Sequence, residues 1–129
     1  MFLLDTNSCI DFALARSDLL RERIRLAYPQ GLSISTITLA ELRVGARHEG
    51  ADPEDEKRLD AFVRVLSVRE FDERAAEAYG RIARQTGVKR KSFDHLIAAH
   101  AVSLDLTLVT RNMKDFVKVP GLKVENWTQ

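Results

Sequence analysis

One cysteine, Cys9, stands among 129 residues, so no disulfide can form within the chain and packing must hold the fold. Such scarcity suits a reducing compartment. No apolar run approaches the roughly 20 residues needed to span a bilayer. The start, MFLLDTNSCIDF, lacks the basic flank and sustained apolar run of a secretory signal. These absences predict a cytoplasmic protein without membrane association. Neither sign of charge dominates: 20 Lys and Arg face 19 Asp and Glu, a net +1, so the strong global basicity common in nucleic-acid binders is missing. There is no phosphate-cradling P-loop or GxGxxG. His95 and His100 lie five apart, off a common helical face, and no Cys–His spacing suggests zinc. Internal repeats and low-complexity tracts are also lacking.

What is present is ordinary globular material, 45% hydrophobic and 30% charged. At this length about two-thirds of the unfolded surface can be buried, enough for one domain spanning residues 1–129. The charge is unevenly placed. Residues 80–92 hold Arg81, Arg84, Lys89, Arg90 and Lys91 without an acid. Glu49, Asp52, Glu54, Asp55, Glu56 and Asp60 form an acidic stretch relieved only by Lys57 and Arg58. Either segment alone reads as solvated surface, but the basic run leads directly into Asp94.

Phe2-Leu3-Leu4 is a short apolar run suited to a buried strand, and it stops at Asp5-Thr6-Asn7. A helix follows, with Ile10, Phe12, Ala13 and Leu14 on its apolar side. After Pro29 and Gly31, Leu32-Ser33-Ile34-Ser35 alternates like a strand. Thr38 and Glu41 have capping-box spacing and predict a helix opening there. The polar stretch 49–55, with Pro53, predicts a surface loop, and Leu59, Phe62, Val63 and Leu66 predict a helix over 55–66. Asp72 and Gly87 bracket another helix, and Ser92 or Asp94 caps an alanine-rich one. Strands are expected at 106–110 and 124–127, with a polar turn between Arg111 and Asp115. Alternating strands and helices indicate an α/β fold with a mainly parallel sheet and right-handed crossovers.

In such sheets ligands bind beyond the carboxyl ends of the strands. Asp5 falls just past the first strand, and Arg111, Asn112 and Asp115 fall just past the late one. Glu41 and Asp94 sit in first helical turns able to face the same crevice. Two carboxylates about 4 Å apart repel by roughly 4 kcal/mol at an effective dielectric near 20, so a gathering of acids calls for a proton or a cation. Mg²⁺ is the hard ion that oxygen ligands suit, and it keeps several waters beside one or two carboxylates. Each acid has a structural role open to it as well. Asp5 and Asp94 can serve their helix ends, Glu41 can complete a box with Thr38, and Asp115 can be a turn acid. Thr6 and Asn7 can bond metal-held water or cap backbone. Cys9 reads as a packing residue.

The segments LLDTNSCIDF, ISTITLAELRVGA, FDERAAEAYGRIA, FDHLIAAHAVSLDLTLVTRNMKDF and VPGLKVENW, in this order, resemble the PIN domain and, within it, the VapC toxins of type II toxin–antitoxin pairs. The likeness covers the chain apart from a variable stretch near 47–66. It implies a three-layer α/β fold with a short central sheet. It also implies an endoribonuclease that cuts transfer RNA or another structured RNA with Mg²⁺, for which Mn²⁺ can substitute. Asp5, Glu41 and Asp94 match the family's principal acids, with Asp5 and Asp94 as the leading metal ligands. Asn112 holds a position that is acidic in some relatives and Asp115 is the nearest carboxylate, so the fourth ligand lies between them. Thr6, Asn7 and Arg111 belong to the site edge. Lys89, Arg90 and Lys91 replace an uncharged stretch and are expected to meet substrate phosphates.

The resemblance further implies a VapB-like antitoxin that blocks the crevice, a toxin homodimer, and promoter DNA bound only through the antitoxin complex. Two other classes share some of these features. One is a catalytically silent PIN-like RNA-binding module. The other is an aspartate phosphoacceptor domain, which wants paired acids after the first strand and a lysine after a late one. Leu4 precedes Asp5 and Arg111 follows Thr110, so the phosphoacceptor fits poorly.

Overall fold

Phe2, Leu3 and Leu4 are all buried and form β1 (Phe2–Leu4), the central strand of the sheet. The computed structural model describes residues 1–46, 52–87 and 93–129. Around β1 lie β2 (Leu32–Ser35), β3 (Ser67–Arg69), β4 (Thr107–Val109) and β5 (Val124–Glu125), in the order β3-β2-β1-β4-β5. Every neighbouring pair is parallel; Phe2 aligns with Leu32 on one side and Thr107 on the other. The expected sheet is therefore parallel throughout its described strands, and all its carboxyl ends share one edge.

The helices are α1 (Thr6–Ala13), α2 (Asp18–Ala27), α3 (Thr36–Ala46), α4 (Pro53–Arg64), α5 (Glu73–Thr86) and α6 (Phe93–Leu104). One apolar cluster joins Phe2, Leu4, Cys9, Leu20, Ile24, Leu42 and Phe62, drawing α1, α2, α3 and α4 onto one face of the sheet. A second joins Leu3, Ala78, Ile82, Ile97, Ala101, Leu108 and Phe116, drawing α5 and α6 onto the other. Leu3 and Leu4 thus point to opposite faces, as successive strand residues must. This is the expected three-layer α/β arrangement. Among the described residues no helix is long and apolar enough to cross a membrane.

Several local expectations change. The strand 32–35 is buried at all four positions, because helices cover both faces of a central parallel strand. Pro53 opens α4 instead of lying in a loop: Asp52 accepts a hydrogen bond from the Glu54 amide, and proline in the first turn loses no helical bond. The capping box at Thr38 and Glu41 does not form. Helix α3 starts at Thr36, and Ser35 Oγ accepts from the Ile37 amide, so Thr38 lies inside the helix. Two elements had no counterpart in the sequence reading, α2 and the exposed edge strand β3. Ser92 lies outside the described residues, and Asp94 sits in the first turn of α6.

Candidate metal centre at the carboxyl edge of the sheet

Asp5 leaves β1 and caps α1: its Oδ1 accepts from the Ser8 amide at 2.8 Å. Its own amide donates to the Val109 carbonyl at 3.1 Å, which ties the residue to the end of β4. Ser8 Oγ donates to that same carbonyl at 3.2 Å. The side chain is almost fully buried, and its Oδ2 accepts no hydrogen bond from any described residue. The capping and site roles of Asp5 are therefore compatible, since each can use a different oxygen.

Glu41 sits one turn into α3 and accepts from Thr6 Oγ1 at 2.6 Å. Thr6 Oγ1 also lies 3.5 Å from the Oγ1 of buried Thr38. The residues paired in sequence as a capping box are thus joined through a third, Thr6, from the neighbouring helix. Asn7 is exposed beside them on α1.

Asp94 reports how these acids stand together. Burial in the first turn of α6 raises its carboxyl pKa above the ordinary value, and the negative charges of Asp5, Glu41 and Asp115 raise it further. His95 acts in the opposite sense and does not overcome them. Asp115, on a 3₁₀ turn after β4, accepts a hydrogen bond from Asn112 Nδ2. Asn112 and Asp115 are therefore contacting partners. Among the described residues, no three carboxylate, imidazole or thiol groups are drawn together into a finished metal-binding group. Such spacing lessens the repulsion between bare acids without removing it, and a Mg²⁺ that keeps several of its waters does not require them to close up. The available donors are hard oxygens, which suit Mg²⁺ or Mn²⁺ better than a soft metal.

Arg111 forms an ion pair with buried Asp11, 3.0 Å from its Oδ2, while half of the arginine side chain stays exposed. Arg16 lies 3.7 Å from Oδ1 of the same aspartate. The sequence reading missed Asp11 and Ser8, and took Thr38 only as a capping residue. Polar residues inside helical runs carry no sign of a long-range partner, and Asp11 meets Arg111 across a separation of 100 residues. Lys89, Arg90 and Lys91 lie outside the described residues.

Comparison with known proteins agrees with this architecture. The PIN domain family model matches residues 2–122. The chain is 35% identical to the tRNA(fMet)-specific endonuclease VapC of Salmonella typhimurium, covering 98% of this chain and 97% of the relative. It is 37% identical to the tRNA(fMet)-specific endonuclease VapC of Shigella flexneri, covering 98% of each. The fold superimposes on a chain in the structure of VapBC2 from Rickettsia felis bound to a fragment of its promoter DNA. The TM-score is 0.87, with 32% identity over 98% of both chains. The chain belongs to the PIN-domain family and, within it, to the VapC ribonucleases.

Proposed function

We propose that this chain, one PIN domain throughout, is the toxin of a type II toxin–antitoxin pair and a metal-dependent endoribonuclease acting on transfer RNA or another structured RNA. The observation that carries this reading is that Asp94, at the carboxyl edge of the sheet, has its pKa raised first by burial and then by the charges of Asp5, Glu41 and Asp115. A cation there offsets a repulsion that the protein alone leaves in place. Asp5, through Oδ2, and Asp94 would be the main ligands; Glu41 would hold a metal-bound water. Asp115, oriented by Asn112, would complete the acidic rim. Bound Mg²⁺, or Mn²⁺ in its place, supplies a lowered pKa for the attacking water and charge stabilisation at the scissile phosphate.

The protein's own groups do the rest. Thr6 fixes Glu41 by donating to its Oε1, which leaves Oε2 to orient water for in-line attack. Thr6 and Asn7 border the substrate, and Arg111, steadied by Asp11, offers its exposed edge to a phosphate. Lys89, Arg90 and Lys91 add positive charge along the approaching strand. No histidine or cysteine nucleophile is needed. Membership of the VapC ribonucleases disfavours the phosphoacceptor alternative, and the full set of acids disfavours a silent module.

The relatives solved as VapBC complexes support a VapB-like antitoxin as partner, with promoter DNA reached through that complex. A toxin homodimer and a cytoplasmic location complete the reading. The test is a purified sample incubated with mixed tRNA, with Mg²⁺ or with EDTA, beside Asp5→Asn and Asp94→Asn. Cleavage confined to wild type with metal supports the mechanism. Cleavage that persists in EDTA or in both variants overturns it.

A further inference from the structure

Arg16, Arg23, Arg25, Arg43, Arg58 and Arg111 each have a carboxylate within 4.0 Å. Arg21, Arg64 and Arg69 have none among the described residues, and helix α5 adds three more. Its three arginines, Arg74, Arg81 and Arg84, are exposed, and none forms an ion pair with a described residue. An acid is within reach: Glu77 precedes Arg81 by one turn, in the order that favours a helical pair. Arg74, Glu77 and Arg81 fall on one stripe of the helix. With Val102 and Ser103 of α6 they line a polar cleft of about 320 Å³. Arg84 Nη1 lies back along the helix over Gly80, 3.5 Å from where a Cβ would stand, an ordinary contact distance.

We propose that this α5–α6 cleft binds the ribose–phosphate backbone of RNA, away from the bond that is cut. Arg74 and Arg81 engage phosphates, and Glu77 between them accepts a hydrogen bond from a ribose 2′-hydroxyl. Guanidinium forks match phosphate oxygens, and unpaired arginines need not break an existing ion pair to bind. A carboxylate among them is unfavourable toward phosphate alone but useful toward a hydroxyl that only RNA carries. Ser103 follows Asp94 by nine residues on α6, a rise of about 13.5 Å, so an RNA must be several nucleotides long to reach both places. The assignment rests on the ribonuclease reading above.

The experiment measures binding of a fluorescein-labelled tRNA pool in EDTA, so that cleavage plays no part, and repeats it with a DNA hairpin. The double substitution Arg74→Ala with Arg81→Ala should raise Kd roughly tenfold and flatten the salt dependence by about 1.4–1.8 in slope, the value for two lost phosphate contacts. Replacing both with lysine should restore most of the slope, and Arg25→Ala, on α2, should change neither quantity. Glu77→Ala should narrow the preference for RNA over DNA. With Mg²⁺, the double variant should cut a trinucleotide as fast as wild type. Unchanged Kd and slope, or an equal loss in Arg25→Ala, would overturn the assignment. So would loss of antitoxin binding with RNA binding intact. If wild type cleaves RNA while the double variant binds like it, only the cleft assignment falls. If wild type neither binds nor cleaves RNA, the ribonuclease reading falls too.

Discussion

Thr6 Oγ1 donates to Glu41 Oε1 at 2.6 Å, and this bond joins the start of α1 to the first turns of α3. A hydrogen bond to a charged acceptor contributes about 1.5–3 kcal/mol. Removing it frees Glu41 without removing its charge. Thr6→Val keeps the shape of the side chain and should lower kcat about tenfold or more. KM for RNA should stay near its wild-type value, because Glu41 acts on water. Single-turnover cleavage beside steady-state kinetics separates the two quantities. A rise in KM with kcat intact would limit Thr6 to its substrate contact and remove its role in holding Glu41.

Asp94 has a folded-state pKa above its ordinary value, so the folded protein prefers it protonated. Stability is therefore lost as pH rises from the ordinary carboxylate range through the raised value, and at neutral pH the ionised group is a net cost. Asp94→Asn should raise the Tm of metal-free protein by a few degrees, because the neutral amide does not carry that cost. Mg²⁺ should stabilise wild type and leave the variant nearly unchanged. Scanning calorimetry with and without metal checks both. A less stable metal-free variant would contradict the repulsion argument.

His100 is fully buried and meets the Phe71 ring edge-on, with ring centres 5.4 Å apart. Burial lowers its pKa; Asp72 opposes that shift, and Arg69 adds to it. The folded state thus binds this proton less readily than the unfolded chain. The associated stability is complete above about pH 6.5 and is lost as pH falls from there through the lowered value. His100→Leu should flatten the fall in urea-unfolding free energy between pH 7 and 5. An equally steep fall in the variant would assign the acid sensitivity to other groups.

Asp11 is buried and depends on Arg111 at 3.0 Å, with Arg16 at 3.7 Å. Arg111→Ala leaves a buried charge with the more distant partner and should cost about 1–3 kcal/mol in urea unfolding. Asp11→Asn in the same background should recover part of that loss. Failure to recover any would mean that Arg111 supports the fold by other contacts.

How legible these features were in the sequence depends on how local their causes are. The strand at Phe2–Leu4 and its end at Asp5 showed as an apolar run meeting a polar turn. The alanine-rich α6 and the Asp72–Gly87 limits of α5 were also visible, because periodicity and capping act over a few residues. β3 was not visible: Ser67, Val68 and Arg69 are exposed at the sheet edge, so burial imposes no pattern on them. α2 had a legible signal that was passed over, Ser17 as cap and Leu20, Ile24 and Ala27 on one face. At the site, the ordered family motifs singled out Asp5, Glu41 and Asp94. The Thr6–Glu41 and Asp11–Arg111 bonds span 35 and 100 residues, and only tertiary packing brings those pairs together.

The central claim is that Asp5 and Asp94 hold a divalent cation at the carboxyl edge of the sheet. Anomalous diffraction from crystals soaked in Mn²⁺ tests it most directly. The account predicts a peak within coordination distance of Asp5 Oδ2 and the Asp94 carboxylate, absent from Asp94→Asn crystals. No peak there, or one unchanged in the variant, would contradict it.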